Sequence, residues 1–108
     1  MTRGNLVTVV VPGEYGKPRP ALVVQSNYFA GHPSVSILPI TSELRDTPLF
    51  RIAVVPGPAN GLLLPSQIMI DKLQTVSADK VGLVIGKLDD TTMVSVTRAV
   101  ALWLGFAG

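Results

Sequence analysis

Proline and glycine interrupt the apolar runs of this chain so often that nearly all of it can only be short strands and turns. Asn5–Val11 (NLVTVVV) is rich in β-branched residues, which suit a pleated surface, and it stops at Pro12-Gly13. Ala21–Gln25 is the next expected strand, and Asn27–Pro33 is a loop holding Gly31 and Pro33. Ser34–Ile40 (SVSILPI) follows, and its internal Pro39, which has no N–H, predicts an edge strand or a bulge. Residues 41–50 are polar and irregular, and Arg51–Val55 is a short strand. Pro56-Gly57-Pro58-Ala59-Asn60-Gly61 is the strongest turn cluster. Leu62–Val76 reads as one long strand, with Ile68, Ile70 and Lys72 on one face and Gln67, Met69 and Asp71 on the other.

The period changes only towards the end. Ser77-Ala78-Asp79-Lys80 fits a single helical turn, and Val81–Leu88 is strand-like. Asp89 or Asp90 can cap a helix, and Met93, Val96, Val100, Trp103 and Leu104 recur at spacings of three and four on one face, which predicts that Trp103 is buried. Gly105 can end that helix. Six or seven short strands and one terminal helix predict a mainly β fold over residues 1–108: a single domain, a small and partly open barrel with the helix packed on it.

Composition narrows the setting. Apolar residues make up 47% and charged residues 15% of the 108, against about 25% charged in typical soluble domains. So apolar a chain on so small a body predicts a protein interface, first of all a homodimer. The apolar runs fall short of the about 18 residues of a spanning helix, so no membrane is expected. There is no signal-peptide pattern and no cysteine, which fits a cytoplasmic protein and excludes disulfide and thiolate chemistry. A net charge of +2 permits a nucleic-acid partner without requiring one.

His32 is the only histidine, so a two-histidine ribonuclease site is excluded, and its Gly-His-Pro loop offers no partner for a serine triad. No metal-ligand spacing, phosphate loop or dinucleotide fingerprint occurs, so neither a metal nor another cofactor is expected. What remains is arginine, carboxylate and hydroxyl chemistry. Arg19 stands between Pro18 and Pro20, a stiff mount for a planar fork that matches phosphate. Glu14 lies five residues upstream, as a base, as an orienting group, or as half of an ordinary surface ion pair. Thr41 and Ser42 end a strand, with Arg45 shortly after; their hydroxyls can donate to a phosphate or simply shape a turn.

Taken in order, these segments resemble the MazF/PemK (Kid) family of toxin endoribonucleases from type II toxin–antitoxin systems. The likeness rests on Arg3-Gly4-Asn5-Leu6-Val7, Gly13-Glu14, Arg19-Pro20-Ala21-Leu22-Val23-Val24-Gln25 and Pro39-Ile40-Thr41-Ser42. It continues through Gly61-Leu62, Pro65-Ser66-Gln67 and Lys87-Leu88-Asp89, and so covers essentially the whole chain. The resemblance implies a homodimer of SH3-like (CcdB/PemK-like) barrels that cleaves single-stranded RNA, usually mRNA, at short sequences without a metal. The implied products carry a 2′,3′-cyclic phosphate and a 5′-hydroxyl. It implies Arg19, Thr41 and Glu14 as catalytic residues, and Lys17, Ser42, Arg45, Gln67 and Asp71 as RNA contacts. It also implies a cognate antitoxin whose acidic tail covers the groove.

Asn5 replaces the family's usual aspartate, and Met69 stands where some of these toxins carry an arginine two residues before the aspartate of the fifth strand. The rival on the same fold is a CcdB-like gyrase poison, but the ending Trp103-Leu104-Gly105-Phe106 has the wrong spacing for that activity. A third reading is a non-catalytic nucleic-acid-binding barrel, for which the 6% aromatic content leaves few stacking platforms.

Overall fold

The computed structural model describes residues 1–10 and 16–107. Within them the chain forms β1 (Asn5–Val10), β2 (Pro18–Val23), β3 (Ser34–Thr41), β4 (Arg51–Val54), β5 (Ser66–Met69), β6 (Gln74–Ser77), β7 (Val81–Lys87) and α1 (Asp90–Trp103). Single 3-10 turns occupy Asn27–Phe29, Ile70–Lys72 and Ala78–Lys80. The seven strands join in the order β4-β5-β3-β2-β1-β7, with β6 added beside β3, and their pairings are antiparallel. The fold is therefore mainly β with a C-terminal helix, as the residue pattern predicts.

The sheet buries both faces. Leu6, Leu22, Leu38, Ile40, Ile68 and Ile70 form one cluster with Val96 of α1, and Met93, Ala99 and Val100 pack against it. On the other face Val7, Val9, Ala21, Val23, Val35, Ile37 and Val76 form a second cluster, flanked by Ala78 and Val81. Residues adjacent in sequence thus serve opposite clusters, the period-two pattern of a strand with a core on each side.

Pro39 corrects the edge-strand expectation. It lies in the central strand, yet breaks no ladder. Val24 N–H donates to the Ser36 carbonyl at 3.1 Å, so Ser36 turns its backbone groups toward β2. By alternation Pro39 turns its N toward the opposite edge. There β6 pairs only as far as Ile37 and β5 begins at Ile40, so the missing N–H falls in the gap between partners.

Two other expectations change. Leu62–Val76 is not one strand but β5 and β6 separated by the 3-10 turn Ile70–Lys72. The alternation holds from Ser66 to Ile70 and fails at Lys72, which is exposed. Trp103 is not buried in this chain: it is 52% exposed, its ring tilted against Phe50 with centroids 6.4 Å apart.

Both ends of α1 are capped by the residues the sequence marks. Asp89 accepts the Thr92 N–H at 2.9 Å and the Thr92 hydroxyl at 2.7 Å. At the far end Gly105, at φ 82°, lets Phe106 N–H return to the Ala101 carbonyl at 2.8 Å. Arg3 ties the N-terminus to this helix, donating to the Val24 carbonyl and, at 2.8 Å, to the Thr97 hydroxyl.

The 56–61 turn lies against β7, with Lys87 N–H donating to the Ala59 carbonyl at 2.8 Å. A Cβ on Gly86 would run into the Asn60 backbone. Gly86→Ala is expected to destabilise the fold by roughly 2–3 kcal/mol in urea unfolding. Gly57→Ala, with nothing within 4 Å of the new atom, is expected to stay within about 0.5 kcal/mol.

The hydroxyl of Thr92, then its N–H, holds the Asp89 carboxyl below its ordinary range. Because the folded value is the lower one, the cap's contribution is complete above the unfolded value and is lost as pH falls through the folded one. The stability gap between wild type and Asp89→Asn should therefore narrow on acidification below about pH 4. A gap that is constant from neutral pH to pH 3 would refute this.

Candidate nucleic-acid interface

Cross-strand partners project from the same face of a sheet, so the registers locate the candidate side chains. Arg19 pairs with Val9, a member of the second cluster, and so shares its face. Ala21 pairs with Pro39, and alternation carries that face on to Thr41. Thr41 pairs with Gln67, Ala53 with Gln67 and Arg51 with Met69. Arg19, Thr41, Gln67, Met69 and Arg51 therefore line one face. It is closed at Val9 and half-exposed or open from Pro39 to Arg51. Thr41 is central. Arg19 stands on the neighbouring strand, and Arg51 lies two strand spacings, about 10 Å, to the other side.

Strand β2 starts at Pro18, so Arg19 belongs to the strand rather than to the preceding loop, with its side chain exposed. The flanking prolines fix its backbone, and the pairing with Val9 anchors it to β1. Lys17 is exposed just before it. Glu14 lies outside the described residues.

Thr41 Oγ1 accepts the Glu43 N–H at 3.0 Å and shapes the turn that leaves β3. A hydroxyl that accepts one bond keeps its own hydrogen to donate. Ser42 follows, exposed.

Arg45 N–H donates to Gln67 Oε1 at 3.0 Å, and Gln67 Nε2 donates to the Arg45 carbonyl at 2.9 Å. Gln67 thus binds the loop backbone as a strand partner would. The Arg45 side chain pairs with Glu43 at 3.1 Å, with both groups largely exposed.

Asp71 lies half-buried in the 3-10 turn that follows β5, and its Oδ1 is buried without a hydrogen-bond partner among the described residues. His32 is a turn residue: its Nδ1 accepts the Ser34 N–H at 3.0 Å. A pocket of about 380 Å³ lies on the helix side, lined by Arg3, Phe29 and Thr97 among others. Among the described residues, no group of three or more His, Cys, Asp or Glu could hold a metal ion.

Arg51 is the residue that sequence reasoning missed. Its Nη1 donates to the Glu43 carbonyl at 2.8 Å and to Gln67 Oε1 at 3.0 Å, and Nη2 lies 3.7 Å from Met69 Sδ. Where Met69 replaces an expected arginine, the neighbouring strand therefore supplies a guanidinium. The signal in the sequence was a lone cation opening the apolar strand RIAV; its destination depended on a register not readable from spacing.

Residues 2–104 match the family of PemK-like, MazF-like toxins of type II toxin–antitoxin systems. The chain belongs to this family. It is 42% identical over 109 residues to a probable endoribonuclease MazF of Mycolicibacterium smegmatis, with all of both chains covered. Solved structures share the fold. A mycobacterial endoribonuclease in complex with its cognate antitoxin matches with a TM-score of 0.82 at 24% identity, covering 100% of this chain and 98% of that one. The Mycobacterium tuberculosis toxin MazF-mt6 gives 0.80 at 24%, covering 94% and 96%. A MazE–MazF structure from Deinococcus radiodurans gives 0.77 at 17%, covering 97% and 95%.

The exposed Glu43–Arg45 pair and the part-buried Gln67 network should differ in weight. Glu43→Ala is expected to change stability by under about 1 kcal/mol. Gln67→Leu, which removes the acceptor of the Arg45 N–H and one of the two acceptors of Arg51 Nη1, is expected to cost roughly 1–2 kcal/mol in the same urea titration.

Proposed function

We propose that this MazF-like endoribonuclease toxin cuts single-stranded RNA by letting the substrate's own 2′-hydroxyl attack the adjacent phosphate, without a metal. The observation that carries this reading is the placement of Arg19 and Thr41 on adjacent strands of one half-exposed sheet face. Attack forms the 2′-O–P bond and breaks the P–O5′ bond, leaving a 2′,3′-cyclic phosphate and a 5′-hydroxyl. The proton of the 2′-hydroxyl goes to a base and one is returned to the leaving 5′ oxygen. DNA lacks the nucleophile and is not a substrate.

Arg19 grips the phosphoryl oxygens, and its fork stabilises the charge that grows on them in the transition state. Thr41 donates its remaining hydrogen to the same group. Glu14 is the proton acceptor. Holding sugar and phosphate in line supplies much of the acceleration, which suits a site without histidine. Lys17, Ser42, Arg45, Gln67 and Asp71 contact the strand on either side of the cut. The family match favours this reading over a gyrase poison, in which Arg19 and Thr41 would have no role.

The working form is a cytoplasmic homodimer. Leu83, Val84, Trp103 and Phe106 are each more than half exposed in the single chain, which supports a partner copy. A cognate antitoxin completes the system: one structural relative is solved with its own. An acidic antitoxin segment would meet Lys17, Arg19 and Arg45 and compete with RNA.

The test is to incubate the purified protein with mixed RNA in EDTA and sequence the ends. Cleavage should persist in EDTA and leave cyclic-phosphate ends. Arg19→Ala should lose about 100-fold or more in rate with the fold intact, and Thr41→Val should lose activity to a smaller degree. A 2′-deoxy substitution at the cut nucleotide should abolish cutting. Cleavage that survives that substitution, or that needs added metal, would sink the mechanism.

A further inference from the structure

The loop after β3 carries Ser42 and Arg45, and its polar residues give it no core of its own. What holds it is a short hydrogen-bonded chain. Arg51 Nη1 bridges the Glu43 carbonyl at 2.8 Å and Gln67 Oε1 at 3.0 Å. Gln67 in turn grips both backbone groups of Arg45. The other end of Glu43, its N–H, donates to Thr41 Oγ1. A guanidinium has the geometry for such bridging, because its donors lie in one rigid plane. Among the described residues its Nη2 reaches only the Met69 sulfur at 3.7 Å, a weak acceptor, which leaves Nη1 as the strong link.

We propose that Arg51 is a positioning residue for the cleavage site. Through the Glu43 backbone, whose carbonyl it holds and whose N–H meets Thr41, it sets the orientation of the Thr41 hydroxyl, and through Gln67 it sets the shape of the 42–45 wall. The link to cleavage rests on the ribonuclease reading above. Arg51 touches no reacting atom: it acts on the transition state through Thr41 and on base selection through the wall. Removing it leaves the Thr41 side chain in place with its turn loosened, so the loss falls on the catalytic step more than on binding.

The test combines kinetics with amide exchange on the whole protein. Arg51→Met, Thr41→Val and the double variant are compared on a short RNA that the wild type cuts. Arg51→Met should lower kcat by about tenfold with under about threefold change in KM. In the Thr41→Val background it should add little, because both changes remove one effect. Arg51→Lys should restore part of the rate, since an ammonium can reach one acceptor but lacks the planar fork.

Hydrogen exchange, measured without RNA, should show the Glu43 and Arg45 amides less protected in Arg51→Met while the β1–β2 amides are unchanged. Multiplicative losses in the double variant would overturn the proposal and make Arg51 a direct RNA contact. Unchanged exchange at Glu43 and Arg45 would overturn it too, because the loop would then be held without Arg51. If the wild type cuts no RNA, the ribonuclease reading fails, and with it the link to cleavage. The exchange data still decide whether Arg51 holds the loop.

Discussion

Strand β3 is the constraint on which the rest depends. It pairs with β2 along one edge and divides the other between β6, at Ser34–Ile37, and β5, at Ile40–Thr41. The partner on that edge of the eight-residue strand changes between Ile37 and Ile40, and Pro39 sits at that change. Its missing N–H therefore falls where neither partner strand needs one. Beyond it, Thr41 pairs with β5 at the end of the strand. Scaffold and proposed site are therefore one problem: the residue that ends the central strand is the residue we propose for the chemistry.

The RNA site proposed around Thr41 illustrates how a weakly charged protein can address a polyanion. A broad basic surface would bind nucleic acid through many phosphate contacts and lose affinity steeply with salt. This chain has a net charge of only +2. In the proposed site it fixes one cation in place instead: Arg19 is mounted between prolines within a paired strand, while Arg51 is spent on the loop through the Glu43 carbonyl and Gln67. A cation already held in position loses little freedom when it meets charge.

Much of this was legible in the residues because local and global preferences agree. β-branched runs bounded by proline and glycine gave β1, β3 and β4 to within a residue, and the Asp89 cap and Gly105 stop gave α1. The readings that failed depended on distant partners. Residues 62–76 alternate well enough for one strand, but a 3-10 turn at Ile70–Lys72 separates β5 from β6. Pro39 looked like an edge residue because no local signal reveals a gap in a neighbour's pairing. Trp103 fits an apolar helical stripe, yet as the last residue of α1 it is half-exposed, with its ring tilted against Phe50. Arg51 was invisible as a site residue because its meaning comes from standing opposite Met69.

The departures from the family pattern carry a related lesson. Asn5 still accepts the Thr2 N–H at 2.7 Å, a task that needs only a side-chain oxygen, so amide and carboxylate are interchangeable there. Met69 is different, since no thioether replaces a guanidinium. Here the charge arrives from the next strand, because cross-strand neighbours stand about 5 Å apart and an arginine side chain spans that gap. A motif read along one strand misses such an exchange. The same group on the same sheet face can be encoded about eighteen residues away, and only the register shows that the two positions are neighbours.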